Sequence, residues 1–225
     1  RQDHVANTMP APYYRFDGVD DYIDTGDAFQ STFRDSHSIS MWIKPTDGQP
    51  ATVQRFFGSK NSSVEDWQYF QLGTDGKIEY GFESNNNTAA VTTAAAVFPD
   101  GSTNWTHLVA VLDETTAGVG GIVIYVNGVL ATSGSGDTSS VVFADYTSSD
   151  EVWIAAQDNN GSSDDEFAGG ISGCQIYNLA LSATEVKELY SGASVPWKYK
   201  GANHTAMITG NNSTFASGLG DWATG

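Results

Sequence analysis

Two groups of side chains in this sequence could do chemistry: clustered carboxylates and closely spaced aromatics. Asp17, Asp20, Asp21, Asp24 and Asp27 crowd into one short stretch, and Asp158, Asn159, Asn160, Asp164, Asp165 and Glu166 form a second oxygen-rich run. Turn-borne carboxylates and carbonyls are what a hard cation such as calcium gathers. No EF-hand spacing is present, and no His/Cys cluster suggests zinc. The aromatic group is Trp67, Tyr69 and Gln71, which alternate along one strand pattern, followed by Ile78, Tyr80 and Phe82 on the next. Aromatic faces stack on sugar rings, and Asn, Asp and Gln take the hydroxyls. Trp67, Tyr69 and Tyr80 are therefore the candidate carbohydrate platform, with Asn86, Asp158 and Asn160 as loop contacts. Alternation leaves two assignments open: this face points outward, or it lines a core.

Other chemistries find little support. His4, His37, His107 and His204 are scattered. His107 reads as a sheet-face residue. Cys174, the single cysteine, sits in an apolar strand pattern and is expected as a small buried hydrophobe. The chain carries 10 basic and 27 acidic residues, a net charge of −17, with no Lys or Arg between Lys77 and Lys187. A nucleic-acid surface needs clustered cations, so nucleic acid is excluded as a partner, as is an anionic membrane. No apolar run is long enough to insert in a bilayer. The start at Arg1, without Met or a signal-like segment, is expected of a processed or excised piece of a longer chain.

The elements that must hold these residues are short strands. His37–Thr46 alternates Ile39, Met41 and Ile43 against Ser40, Trp42 and Lys44. Asp66–Phe82 reads as a hairpin turned at Asp75-Gly76, and Gly121–Ser133 as another turned at Asn127-Gly128. Tyr14, Phe16, Tyr22 and Ile23 suggest two strands broken by Asp17-Gly18, and Gly58 suggests a break in the segment Arg55–Lys60. Two more strands flank the acidic loop near Asp164. Ser182 and Glu185 then form a capping box, with Val186, Leu189 and Tyr190 on one helix face and Gly192 as C-cap. Such a helix is too short to stand alone and must dock, covering an edge or an open end of the sandwich. The pattern predicts an all-β antiparallel β-sandwich with one short C-terminal helix. Residues 1–12 read as an arm, 13–192 as the domain, 193–209 as a linker and 210–225 as the start of a second β-sandwich module.

Five phrases, FDGVDDYIDTG, SISMWIKPT, WTHLVAVLD, IVIYVNGVL and FAGGISGCQIYNLALSATEVKELY, fall in the order found in the laminin-G-like, concanavalin-A-like jelly-roll family, which the stretch from Tyr13 to Ser191 resembles. The resemblance implies a jelly roll, a rim calcium held by Asp17 or Asp20 with Asp165, and structural roles for Trp42 and Trp105. Ser172 stands where the family usually has Asp. Trp153, among Val152, Ile154 and Ala155, is expected in the core. Related glucanases carry Glu-x-Asp-x-x-Glu on one strand, which sets nucleophile and acid on one face; that run is missing here. The tail GNNSTFASGLGDWATG resembles the opening of a galactose-binding-like module, and the linker before it resembles segments of marine bacteriophage structural proteins. The expectation is a non-enzymatic binding or adhesion module displayed on a virion, as a fibre or capsid decoration, whose partners are glycans, host-surface polysaccharide and neighbouring subunits. The alternative is an accessory carbohydrate-binding domain of a secreted bacterial hydrolase or adhesin. Either setting is extracellular.

Overall fold

Alternating apolar and polar residues make most segments extended, because side chains at i and i+2 share a face. The computed structural model describes residues 13–61, 63, 66–114, 119–132, 136–137 and 141–191. The expected arm, linker and second module, with His4 and His204, lie outside the described residues. In chain order the first elements are β1 (Tyr14–Asp17), β2 (Ile23–Asp24), α1 (Gln30–Phe33), β3 (His37–Pro45) and β4 (Gln54–Asn61). Next come β5 (Asp66–Leu72), β6 (Ile78–Ser84), β7 (Asn87–Thr92), β8 (Thr106–Leu112) and β9 (Val119–Val126). The remainder are β10 (Val129–Leu130), β11 (Gly136–Asp137), β12 (Trp153–Ile154), β13 (Gln157–Asn159), β14 (Ser162–Asp164), β15 (Ala168–Tyr177) and α2 (Ala183–Ser191).

Two sheets result. The first has the order β1-β15-β3-β8-β9-β10, with β11 added to β9. The second has the order β14-β13-β4-β5-β6-β7, with β12 joining β2 to β4. All pairings are antiparallel except β13 with β4. Between the sheets lies the core: Ile39, Met41, Ile43, Leu108 and Leu112 from the first meet Phe57, Phe70, Leu72, Ile78, Tyr80 and Phe82 from the second. This is the predicted all-β sandwich.

Several local expectations are corrected. The two expected strands on either side of Gly18 form, but in different sheets, β1 on β15 and β2 on β12. β4 runs through Gly58 without a break. The side chains of β7 are small, so it carries little apolar pattern of its own. It is closed onto β6 by an Asn85-Asn86 turn, with φ of 50° and 65°, a left-handed pair that Asn tolerates. The acidic loop folds into the β13–β14 hairpin.

Helix α2 docks on the sandwich. Its capping box forms, with Ser182 N–H donating to Glu185 at 2.9 Å and Glu185 N–H to Ser182 Oγ at 3.3 Å. It covers the edge strand β10, with Tyr190 and Lys187 against Gly128 of the β9–β10 turn, and also the face beside it, where Val186 packs with Val109, Val111 and Leu181 on the outside of the first sheet. Tyr190 stacks on Trp42 at 5.8 Å and His107 at 6.0 Å, so Trp42 and His107 are structural, as expected. Cys174 is half-buried against the core, and burial pushes its thiol up to about 12, which leaves it inert.

Candidate functional face of the second sheet

Cross-strand partners share a face, so register alone assembles the outer surface of the second sheet. Trp67 pairs with Lys60 and Glu83, Tyr69 with Gly58 and Gly81, and Gln71 with Arg55 and Glu79. The alternation of β5 is resolved: Asp66, Gln68, Phe70 and Leu72 are buried, while Trp67, Tyr69 and Gln71 are half-buried on the outside. Trp153 pairs with Gly58 and extends the same row. It is buried, but beneath Tyr22 on the outer face and not in the core, with the rings stacked at 4.0 Å and 9°.

Tyr80, expected on the platform, points the other way. It is fully buried in the core. Because the hairpin sets Tyr69 opposite Gly81, Tyr80 pairs instead with Phe70. Its hydroxyl lies 2.6 Å from His37 Nε2. The Asp35 carbonyl, 2.8 Å from His37 Nδ1, can only accept, so Nε2 accepts from Tyr80. Burial lowers His37 to about 4 and holds Tyr80 well above the usual phenol range.

Two glycines flatten the centre of the outer face. A Cβ on Gly81 would sit 2.1 Å from Tyr69 Cζ, so the tyrosine ring lies directly over that glycine. Arg55 caps the ring at 4.5 Å, and Lys60 sits 4.1 Å over Trp67. Glu79 accepts hydrogen bonds from Tyr69, from Gln71 at 3.3 Å and from Thr92 at 3.0 Å. Burial, and then the Glu79 charge, raise the Tyr69 phenol above its usual range. Thr88 donates to Glu83 at 2.6 Å. Four buried polar atoms on this face, Arg55 Nη1, Trp67 Nε1, Gln71 Oε1 and Trp153 Nε1, have no hydrogen-bond partner among the described residues. Sequence reasoning missed Arg55, Lys60, Glu79 and Glu83, whose place depends on register.

The loop candidates lie at the Trp67 end of the sheet. Asn86 is exposed on the β6–β7 turn, which the buried Asp66 anchors through Asn85 N–H at 3.0 Å. Asn160 is exposed on the β13–β14 turn, at a φ of 52°. Asp158 is buried and accepts Gly161 N–H at 2.6 Å; it shapes that turn and does not project from it. Burial, the largest influence, raises its carboxyl.

The expected calcium ligands separate. Asp17 and Asp20 converge with Asp21, one oxygen of each within 4.8 Å of the others, all exposed. Hard carboxylate oxygens suit calcium chemically, although Asp17 already takes Val19 N–H at 2.8 Å and Asp21 takes Asp17 N–H at 3.1 Å. Asp165 is not part of this group. Its carboxylate accepts Arg55 Nε–H at 2.9 Å and so fixes the guanidinium over Tyr69.

Residues 17–187 match the family described as the concanavalin A-like lectin/glucanases superfamily, Laminin_G_3. No curated protein matches the chain in sequence. Among solved structures, the CBM40 module of the Ruminococcus gnavus IT-sialidase is similar, with a TM-score of 0.64 at 14% identity, over 80% of this chain and 97% of that one. That module has also been solved bound to alpha2,3 sialyllactose. The leech intramolecular trans-sialidase gives 0.61 at 17% identity, over 85% of this chain and 28% of its own. The NanB sialidase of Streptococcus pneumoniae gives 0.60 at 18%, over 78% and 27% respectively. At such identities the likeness is one of fold.

Proposed function

Because the chain belongs to the concanavalin A-like lectin/glucanases superfamily, we propose that it is a carbohydrate-binding module whose glycan lies on the outer face of the second sheet. The observation that carries this reading is the half-buried row Trp67, Tyr69 and Gln71 on the outside of the sheet, flanked across the register by Arg55, Lys60, Glu79 and Glu83. Trp67 would stack on a sugar ring once Lys60 swings aside, and Tyr69, held between Gly81 and Arg55, would present its ring edge, while Arg55, Gln71 and Glu79 would take hydroxyls. The CBM40 module solved with sialyllactose adds support, as a protein of the same fold that holds a glycan.

Binding without hydrolysis is the better reading of this face. Of the carboxylates at this face, Glu79 and Glu83 are four residues apart on one strand, ~13 Å along it, and Asp165 is tied to Arg55 in an ion pair at 2.9 Å. A glycosidase needs its pair ~5–9.5 Å apart. Both glutamates are also occupied by hydrogen bonds within the sheet. The net charge of −17 supports a place outside the cell, on a virion or on a secreted hydrolase or adhesin.

A glycan array followed by calorimetric titration of the best hit tests the proposal. Trp67→Ala and Tyr69→Ala should each weaken binding about tenfold or more, with an unchanged circular dichroism spectrum. A blank array, or a hit indifferent to both substitutions, would refute it.

A further inference from the structure

The first sheet carries a separate pocket, away from helix α2. Register builds it. Arg15 on β1 pairs with Gly170 on β15, which pairs with Lys44 on β3. Trp105 immediately precedes β8, whose first residue, Thr106, pairs with Ile43. It therefore completes the row Arg15, Gly170, Lys44, Trp105 on the outer face. Tyr13 joins Trp105 edge to face at 5.4 Å and 71°. Trp105, expected to be structural, is thus half-exposed at a pocket wall.

Gly170 lets the aromatic wall close in: a Cβ there would sit 2.8 Å from Trp105 Cη2, so the indole lies over that glycine and forms one side of the pocket. The resulting cavity is about 300 Å³ and is lined by no carboxylate. That volume is at the small end for a ligand site. Arg15 and Lys44 are exposed and make no ion pair among the described residues, in a chain with 27 acidic side chains. Two free cations and two aromatic walls around a small hole select a compact ring that carries an anion.

We propose that this pocket is a second saccharide site, for a single carboxylated sugar residue, with Arg15 and Lys44 taking the carboxylate and Tyr13 and Trp105 the ring. The site is on the opposite sheet from the proposed glycan face and does not depend on it. A chain with both would hold two glycans at once, on opposite sides of the sandwich.

Glucuronate and glucose differ only in the carboxylate, so they are the probes. The full chain is titrated with each by chemical-shift perturbation. Glucuronate should saturate and should weaken on raising salt, and glucose should bind at least fivefold more weakly. Arg15→Gln combined with Lys44→Gln should abolish the preference, while Trp67→Ala on the other sheet should leave it unchanged. Because both glutamine substitutions are at exposed positions, folding is not at stake. Equal binding of the two sugars, no binding of glucuronate, or indifference to the double substitution would overturn the proposal. Loss of the preference in Trp67→Ala would place the carboxylate on the other face and overturn it as well.

Discussion

Replacing Gly81 by Ala tests the geometry of the proposed glycan face without touching the core. The new Cβ would fall 2.1 Å from Tyr69 Cζ and 2.3 Å from its hydroxyl oxygen, so the ring must lift. Lifting it breaks the Arg55 contact at 4.5 Å and the hydrogen bond to Glu79. A partly exposed cation–π contact is worth ~0.5–1 kcal/mol, and a hydrogen bond of this kind ~1 kcal/mol. The expected loss is therefore about 1–2 kcal/mol, or roughly 3–6 °C in Tm for a domain of this size. The ring is the movable end of a side chain and the core lies on the other side of the sheet, so unfolding should stay cooperative. Glycan affinity should fall about tenfold with the displaced ring. The decisive measurement is a double-mutant cycle by urea unfolding. With Tyr69→Ala already present, nothing occupies the space over Gly81. The same Gly81→Ala change should then be neutral or stabilising by ~0.5–1 kcal/mol, because glycine in a strand interior costs that much relative to alanine. If Gly81→Ala costs the same in both backgrounds, the ring does not lie over that glycine and the register argument fails.

Three further outcomes are expected. Burial lowers His37 and His107 to about 4, so the unfolded chain takes up protons first; stability present above pH 6.5 should be lost as pH falls toward 4, by roughly 1 kcal/mol per pH unit from each histidine. Urea midpoints that stay flat from pH 7 to 5 would contradict this. Asp66→Ala removes the buried carboxylate that accepts Asn85 N–H and Thr147 N–H from two exposed residues, and should cost ~1–3 kcal/mol at roughly 0.5–1.5 for each lost bond, read by the same unfolding assay. If Asp17, Asp20 and Asp21 hold calcium, millimolar calcium raises Tm over a chelated sample and Asp17→Asn abolishes the rise; equal melts with calcium and chelator would dismiss the site.

Much of the fold was legible in local sequence. The period of two in Ile39, Met41 and Ile43 marks an inner strand face, Asn127-Gly128 closes a hairpin at φ of 50° and 77°, and Ser182 with Glu185 starts the helix. These are contacts between residues a few positions apart, and the residue types alone favour them. The same alternation put Trp67, Tyr69 and Gln71 together on one face of β5.

Alternation cannot say which face turns inward when both faces carry aromatics, as in β5 and β6. The hairpin register decided it, by setting Tyr69 over Gly81 and turning Tyr80 into the core. It is also register, between strands distant in the chain, that brings Arg55 over Tyr69, ties Asp165 to Arg55 and lines Arg15, Lys44 and Trp105 around the pocket beside Gly170. Each of those side chains is unremarkable in its own stretch of sequence. Their neighbours come from sheet pairing, which is set by how the whole core closes and by no single segment.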